Sequence, residues 1–203
     1  MEPDYNEEQL INELARVPEK LRVVYAATCA ERFFPAYERY LKQSGKKYEV
    51  NLKDHMERLW LDLCGNTMSD SEIDDAIDEC MTVIQEINDS KWSSGSEAAD
   101  CAATSLCYAF RCRKTGDPQE AAWAVRRVYD GLDNLIINQE NIDTNQPGGE
   151  SKVLAHPLMQ AELARQRRDL HELLEFRGED ISELAVRLRK RAEAEAHTLF
   201  GSE

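Results

Sequence analysis

An all-α fold follows from three features of this sequence. Apolar residues recur at three- and four-residue spacings along most of the 203 positions. Side-chain caps, first-turn prolines and terminal glycines punctuate that periodicity. No segment alternates apolar and polar residues between hairpin turns, so no strand competes. Short connections and the absence of a fixed repeat favour a bundle over a solenoid. The expectation is a single-domain all-α bundle of about eight helices spanning 1–203.

The first helix runs from Tyr5 to Arg16, with Leu10, Ile11 and Leu14 inward. Pro18 suits the first turn of the next, which carries Leu21, Val24, Tyr25 and Cys29 to about Phe33. Pro35 lacks a donor and clashes with the preceding turn, so it breaks or kinks this helix. Tyr37, Tyr40 and Leu41 carry the period on to Gly45. After a polar connection over 46–51, Leu52, Met56, Leu59, Trp60 and Leu63 form a helix closed by Gly65.

Ser69 and Glu72 then form a capping-box pattern that opens a helix to Asp89. Ile73, Ile77, Met81, Ile84 and Ile87 make its expected inner stripe. Its outer surface carries Asp70, Glu72, Asp74, Asp75, Asp78, Glu79, Glu86 and Asp89, with no Lys or Arg in the segment. Such repulsion costs a few tenths of a kcal/mol per pair. The pattern fits either a solvated face or a docking face for a basic partner.

Ser94 and Glu97 repeat the capping pattern ahead of Ala98, Cys101, Ala102, Ser105, Ala109 and Cys112. These small residues suit close packing at a bundle centre. Asp117-Pro118 starts the next helix, with Ala121, Val125, Val128, Leu132, Leu135 and Ile136 inward. Residues 138–152 are polar, contain Pro147-Gly148-Gly149, and are expected to form a flexible loop. His156-Pro157 opens a helix with Met159, Leu163, Leu170, Leu173 and Leu174 inward, ending at Gly178. The last helix buries Ile181, Leu184, Leu188, Ala192 and Leu199, and its outer face is expected to be basic through Arg187, Arg189, Lys190 and Arg191.

Charge limits the function classes. The net charge is −14, concentrated in the first half of the chain. Direct binding to nucleic acid or an anionic membrane needs Lys/Arg footprints that this balance opposes. A basic protein partner fits it. The acidic N-terminus is unlike a signal peptide, and no apolar run is long enough for a membrane span. Six cysteines without a CxxC or CxxH pair suit reduced thiols buried in helices, hence a cytoplasmic setting without a metal or disulfide framework.

No catalytic residue or cofactor is assigned. His55, His156, His171 and His197 are scattered and lack the spacing of a metal-binding helix, so capping or surface roles are expected. The pairs Asp74/Asp78 and Asp75/Glu79 lack the Glu-x-x-His partners of a di-metal bundle. Trp60, Trp92 and Trp123 are expected to anchor packing, with Trp92 the one exposed.

Two stretches carry a family resemblance. Cys29-Ala30-Glu31-Arg32-Phe33-Phe34-Pro35-Ala36-Tyr37 resembles the Cys-x-Glu-Arg, two apolar residues, Pro-x-Tyr signature of the bacterial domain-of-unknown-function family 416. His156-Pro157-Leu158-Met159-Gln160-Ala161-Glu162, with Gln166-Arg167 after it, is similar to that family's Pro-Leu-Met-x-x-Glu helix. The motifs come in the family's order and span most of the chain, although its ending, RKRAEAEAHTLFGSE, departs from the family tail. The resemblance implies an all-α cytoplasmic bacterial protein without established catalytic residues. It places Glu31, Arg32, Pro35 and Tyr37 at motif positions, where a Glu31–Arg32 pair satisfies backbone groups freed by the proline. By family context it also implies kinship with immunity proteins of polymorphic toxin systems.

The leading expectation is therefore a non-enzymatic immunity protein that neutralises a cognate toxin. Its partner-binding residues are expected to be Asp74, Asp75, Asp78, Glu79 and Glu86, with Glu140, Asp143 and Glu150 added by the loop. One alternative is a small-ligand protein or enzyme with a pocket near Pro35, using Glu31, Arg32, Tyr37 and His156. Another is a helical homo-oligomeric scaffold, with a homodimer left open.

Overall fold

The computed structural model describes residues 5–178 and 180–200. Regular structure among the described residues is helical throughout, in ten segments. These are α1 (Glu7–Leu14), α2 (Glu19–Phe33), α3 (Pro35–Ser44), α4 (Leu52–Leu63), α5 (Asp70–Asn88), α6 (Ser94–Thr115), α7 (Pro118–Glu140), α8 (Gly149–Leu154), α9 (Pro157–Glu175) and α10 (Ile181–Phe200). The count exceeds eight for two reasons. The chain divides into α2 and α3 at Phe34, and a short helix, α8, forms where a continuous loop was expected.

Local chemistry accounts for most boundaries. Ser69 N donates to Glu72 Oε2 at 2.8 Å while Glu72 N donates to Ser69 Oγ at 3.3 Å, completing the capping box of α5. Asp117 Oδ1 accepts from Gln119 N at 2.8 Å, with Pro118 in the first turn of α7. His156 Nδ1 accepts from Leu158 N at 3.3 Å and caps α9 beside Pro157. Gly45 and Gly116 end α3 and α6 in the left-handed conformation that glycine adopts without a Cβ penalty.

Three local expectations are corrected. The box before α6 is made by Ser93 and Ser96, one residue earlier than Ser94 and Glu97. The loop expected over 138–152 is shorter, because α7 continues to Glu140 and α8 begins at Gly149. On α5 the buried stripe is Ile73, Ala76, Cys80, Val83, Ile84 and Ile87, while Met81 is 51% exposed and Ile77 only partly buried. Small residues turn inward here because α5 lies against α6, whose own face is built of small residues.

Helix α6 is the axis of the packing, touching α7, α5, α2 and α3. Its buried Ala98, Ala99, Cys101, Ala102, Ala103, Ser105 and Ala109 let neighbours approach closely. The one buried hydroxyl among the last of these is satisfied, Ser105 Oγ donating to Ala124 O at 2.8 Å. Where α7 meets α2 the fit is tighter still: a Cβ on Gly131 would lie 2.4 Å from Phe33 Cε1. Helices α9 and α10 close the other side of α2. Five cysteines are buried and Cys64 is exposed. Burial pushes the Cys107 thiol up to about 11 and those of Cys101 and Cys112 up to about 12, so these thiols stay protonated at neutral pH.

Candidate functional site

The acidic side of α5 is not bare. Neighbouring helices supply the partners its own sequence lacks. Asp74 pairs with Lys114 of α6, Glu72 with Arg58 of α4 at 3.3 Å, and Glu79 with His55 Nε2 of α4 at 2.6 Å. Hydrogen bonds from the Ser69 backbone and hydroxyl also hold the Glu72 carboxyl below its ordinary range. What remains is a smaller patch. Asp75, Asp78 and Glu86 are exposed and make no ion pair among the described residues. Exposed Met81 and half-buried Ile77 lie on the same helix between them. Trp92, just beyond α5, is 69% exposed, as its loop position suggested.

The loop acids are placed elsewhere. Glu140 ends α7, 4.0 Å from His156 Nε2. Asp143 accepts from Asn145 N at 3.0 Å, and Glu150 lies in the first turn of α8. Helix α8 rests on α7 and α9, whereas α5 rests on α6, so the two acidic sets belong to different pairs of helices. Of the acids expected on α5, then, Asp75, Asp78 and Glu86 are the exposed ones without an ion pair among the described residues, as is Glu150 on α8.

The second concentration of charge is buried. Arg32 is fully enclosed, and contrary to the expectation that it would satisfy backbone freed by Pro35, its guanidinium bonds only to side chains. It crosses to α9, donating through Nε and Nη2 to Glu162 at 3.0–3.2 Å and through Nη1 to Asp169 at 2.6 Å. Its Nη2 also donates to Cys29 Sγ at 3.4 Å, and Glu195 of α10 lies 3.7 Å from Nη1. Asp169 takes further hydrogen bonds from Arg168 and Arg191, and Glu162 takes one from Gln166 at 3.1 Å. Burial works against the charge on Arg32, but the carboxylates of Glu162 and Asp169 outweigh it and keep the guanidinium protonated. The expected basic outer face of α10 is absorbed at its three arginines, while Lys190 stays exposed and makes no ion pair among the described residues. Arg187 and Arg191 reach Glu172 of α9, and Arg189 reaches Glu57 of α4.

This network joins the two sequence motifs, one supplying Arg32 and the other Glu162 and Gln166. Glu162 entered the sequence reading only as a motif position, and Asp169 and Glu195 were not singled out. A signal was present: Glu162, Gln166 and Asp169 fall at four- and three-residue spacings within the apolar stripe of α9. The pocket imagined near Pro35 is only partly realised. Glu31 and Pro35 line a cleft there, but Arg32 and Tyr37 are buried and His156 caps α9 beside the 141–148 loop. Among the described residues no helix is long and apolar enough to cross a membrane.

Residues 9–201 match the family described as protein of unknown function, DUF416. The chain belongs to the DUF416 family. It is similar in fold to the crystal structure of a DUF416 family protein from Shewanella baltica OS155, with a TM-score of 0.75 at 18% identity over 90% of this chain and 92% of that one. At that identity the likeness shows the fold alone. No match was found among curated proteins. Within this DUF416 chain, the Arg32–Glu162 pair gives the two family-like motifs a joint role: they lock α2 to α9.

Proposed function

We propose that this DUF416 protein is a cytoplasmic binding protein that neutralises a basic partner, as an immunity protein does for its toxin. The single observation that carries this reading is the patch on α5, where Asp75, Asp78 and Glu86 share one exposed face, make no ion pair among the described residues, and have exposed Met81 at the edge of that face beside Asp78. Exposed carboxylates without an ion pair among the described residues occur on other helices too, Asp54 and Glu150 among them, but on α5 three share one face of one helix. Carboxylates fixed on a rigid helix lose little entropy on binding, and an apolar side chain at their edge supplies contact area. The charge would mainly speed encounter and select Lys/Arg-rich surfaces. A toxin acting on nucleic acids or nucleotides has the required basic surface.

Co-expression with the product of an adjacent toxin gene, followed by titration of the purified pair, tests this. The expected result is a complex whose affinity falls with salt. Asp75→Lys with Asp78→Lys should weaken it by about 2–5 kcal/mol if the acids are desolvated against Lys or Arg. Unchanged affinity and salt response in the double variant would overturn the reading.

A further inference from the structure

We propose that a cleft between α1 and α9 binds a small α-amino acid in its zwitterionic form. Two helical stripes face each other there without closing. Asn6, the N-cap of α1, forms one stripe with Gln9, Leu10 and Glu13, and Leu163, Gln166, Arg167 and Leu170 of α9 repeat the same spacing opposite. Tyr25 of α2 lies between them. Helix α1 is held against α7 instead. Tyr5 Oη donates to Ala122 O at 3.2 Å, its ring lies 5.3 Å from that of Tyr129, and Arg126 stacks over it at 5.4 Å. The space left has a volume of 70 Å³. Buried Leu10, Tyr25, Leu163 and Leu170 form its floor, and polar side chains form its rim.

Gln166 points to what the cleft takes. It is 5% exposed, its backbone O accepts from Tyr25 Oη at 3.3 Å, and its Nε2 donates to Glu162 Oε1 at 3.1 Å. Glu162 is an acceptor bound to Arg32, so it fixes which way the amide faces. Gln166 Oε1 is thereby turned to the cleft, where no described residue donates to it. An acceptor on so buried a side chain calls for a donor. Arg167 has the opposite need. Arg165 and Arg168 engage Glu195, whereas Arg167 stands exposed at the rim and makes no ion pair among the described residues. On the facing stripe Glu13 Oε1 accepts only from Gln9 Nε2, at 2.8 Å. The cleft thus offers two acceptors and one cationic fork. An ammonium one carbon away from a carboxylate matches that set: the ammonium donates to Gln166 Oε1 and Glu13, and the carboxylate accepts from Arg167. Ligand and rim are each neutral in sum, so the fit rests on the placing of donors and acceptors and not on a charge deficit. A cavity of about 150 Å³ holds benzene, so this one suits glycine or alanine.

Titration of the full chain with glycine and with L-alanine, followed by protein NMR and calorimetry, tests the proposal. Acetate and methylammonium carry the two charges separately, and N-acetylglycine stands for the end of a peptide. Glycine and alanine are expected to bind saturably and to shift the Gln166 side-chain amide and Arg167 Nε–H resonances. They should bind about tenfold tighter than any of the three controls. Arg167→Ala and Glu13→Gln change rim side chains that make no ion pair among the described residues, so the fold is kept. Each should weaken glycine binding by about tenfold, the scale of one charge-assisted contact. Asp75→Lys with Asp78→Lys should leave it unchanged, which separates this site from the α5 surface. A control that binds as tightly as glycine would overturn the assignment of an amino acid. Absence of a saturable glycine effect on the cleft resonances, or binding that survives both rim variants at full strength, would overturn the site itself.

Discussion

The α2–α9–α10 junction and the exposed side of α5 both concentrate charge, and they treat it in opposite ways. At the junction Arg32 has no contact with solvent, and its carboxylate partners Glu162 and Asp169 each take additional donors. On α5 the acids nearest to other helices are paired, and those facing outward are not. Buried ions demand complete satisfaction because the interior screens them weakly and desolvation is expensive. Exposed ions tolerate incompleteness because water completes them. The difference separates what holds this fold together from what is free to meet another molecule.

Removing the buried cation breaks the comparison from one side. Arg32→Leu strands Glu162 and Asp169 without their shared partner, and it should destabilise the fold by about 3–5 kcal/mol. Urea unfolding followed by circular dichroism measures this. Replacing all three, Arg32→Met with Glu162→Met and Asp169→Leu, should recover most of the loss, since no uncompensated charge remains. If Arg32→Leu alone costs under about 1 kcal/mol, the network is not the lock described above.

The next effect comes from the packing that positions Arg32. Its neighbour Phe33 lies against Gly131, where an added Cβ would stand 2.4 Å from one ring carbon and 3.0 Å from Cys101 Cβ. Gly131→Ala should therefore destabilise by about 1–3 kcal/mol through overpacking. That outcome opposes the gain of about 1 kcal/mol that alanine normally gives inside a helix. Adding Phe33→Leu should relieve part of the clash, and thermal unfolding of the single and double variants checks both.

These positions also show what the sequence made legible. The helices, their caps at Ser69, Asp117 and His156, and the small-residue centre of α6 depend on neighbours within one or two turns, so local pattern was enough. The partners of Arg32 lie 130 and 137 residues away, and nothing local points from one to the others. The rotation of the α5 stripe past Met81 depends on how closely α6 approaches, which is a tertiary fact. The side chains reaching Asp74 and Glu79 from α6 and α4 were invisible for the same reason. Short α8 begins at a glycine without a side-chain cap, so its start carried a loop-like signature.

Glu31 falls between the two regimes and predicts a pH effect. Burial raises its carboxyl above the ordinary 4.5, opposed mainly by the hydrogen bond from Trp60. The folded state thus binds this proton more tightly than the unfolded chain does. Its stabilising contribution is present at low pH and fades as pH rises from the unfolded value through the folded one. Glu31→Gln keeps an acceptor for Trp60 Nε1 and removes the titration. Its stability relative to the parent should rise between pH 4.5 and the folded pKa and then level off. Urea unfolding of both proteins from acidic to neutral pH checks the slope; a difference that stays flat contradicts it.

The smallest effect is expected where the charge is most exposed. Asp75 and Asp78 have no ion-pair partners among the described residues, and both lie beyond the first turn of α5, where the helix dipole no longer favours them. Asp75→Lys with Asp78→Lys turns the contacts with Glu79 and Asp74, one turn away, from repulsive to attractive. Each such change amounts to about 0.2–0.5 kcal/mol in a helix, less at high salt. The double variant should therefore keep its unfolding midpoint or gain slightly, with the gain disappearing as salt is added. A loss of more than about 1 kcal/mol would mean that these acids support the fold. The open patch on α5 would then belong with the buried network as structure, and the reason to place a partner there would be gone.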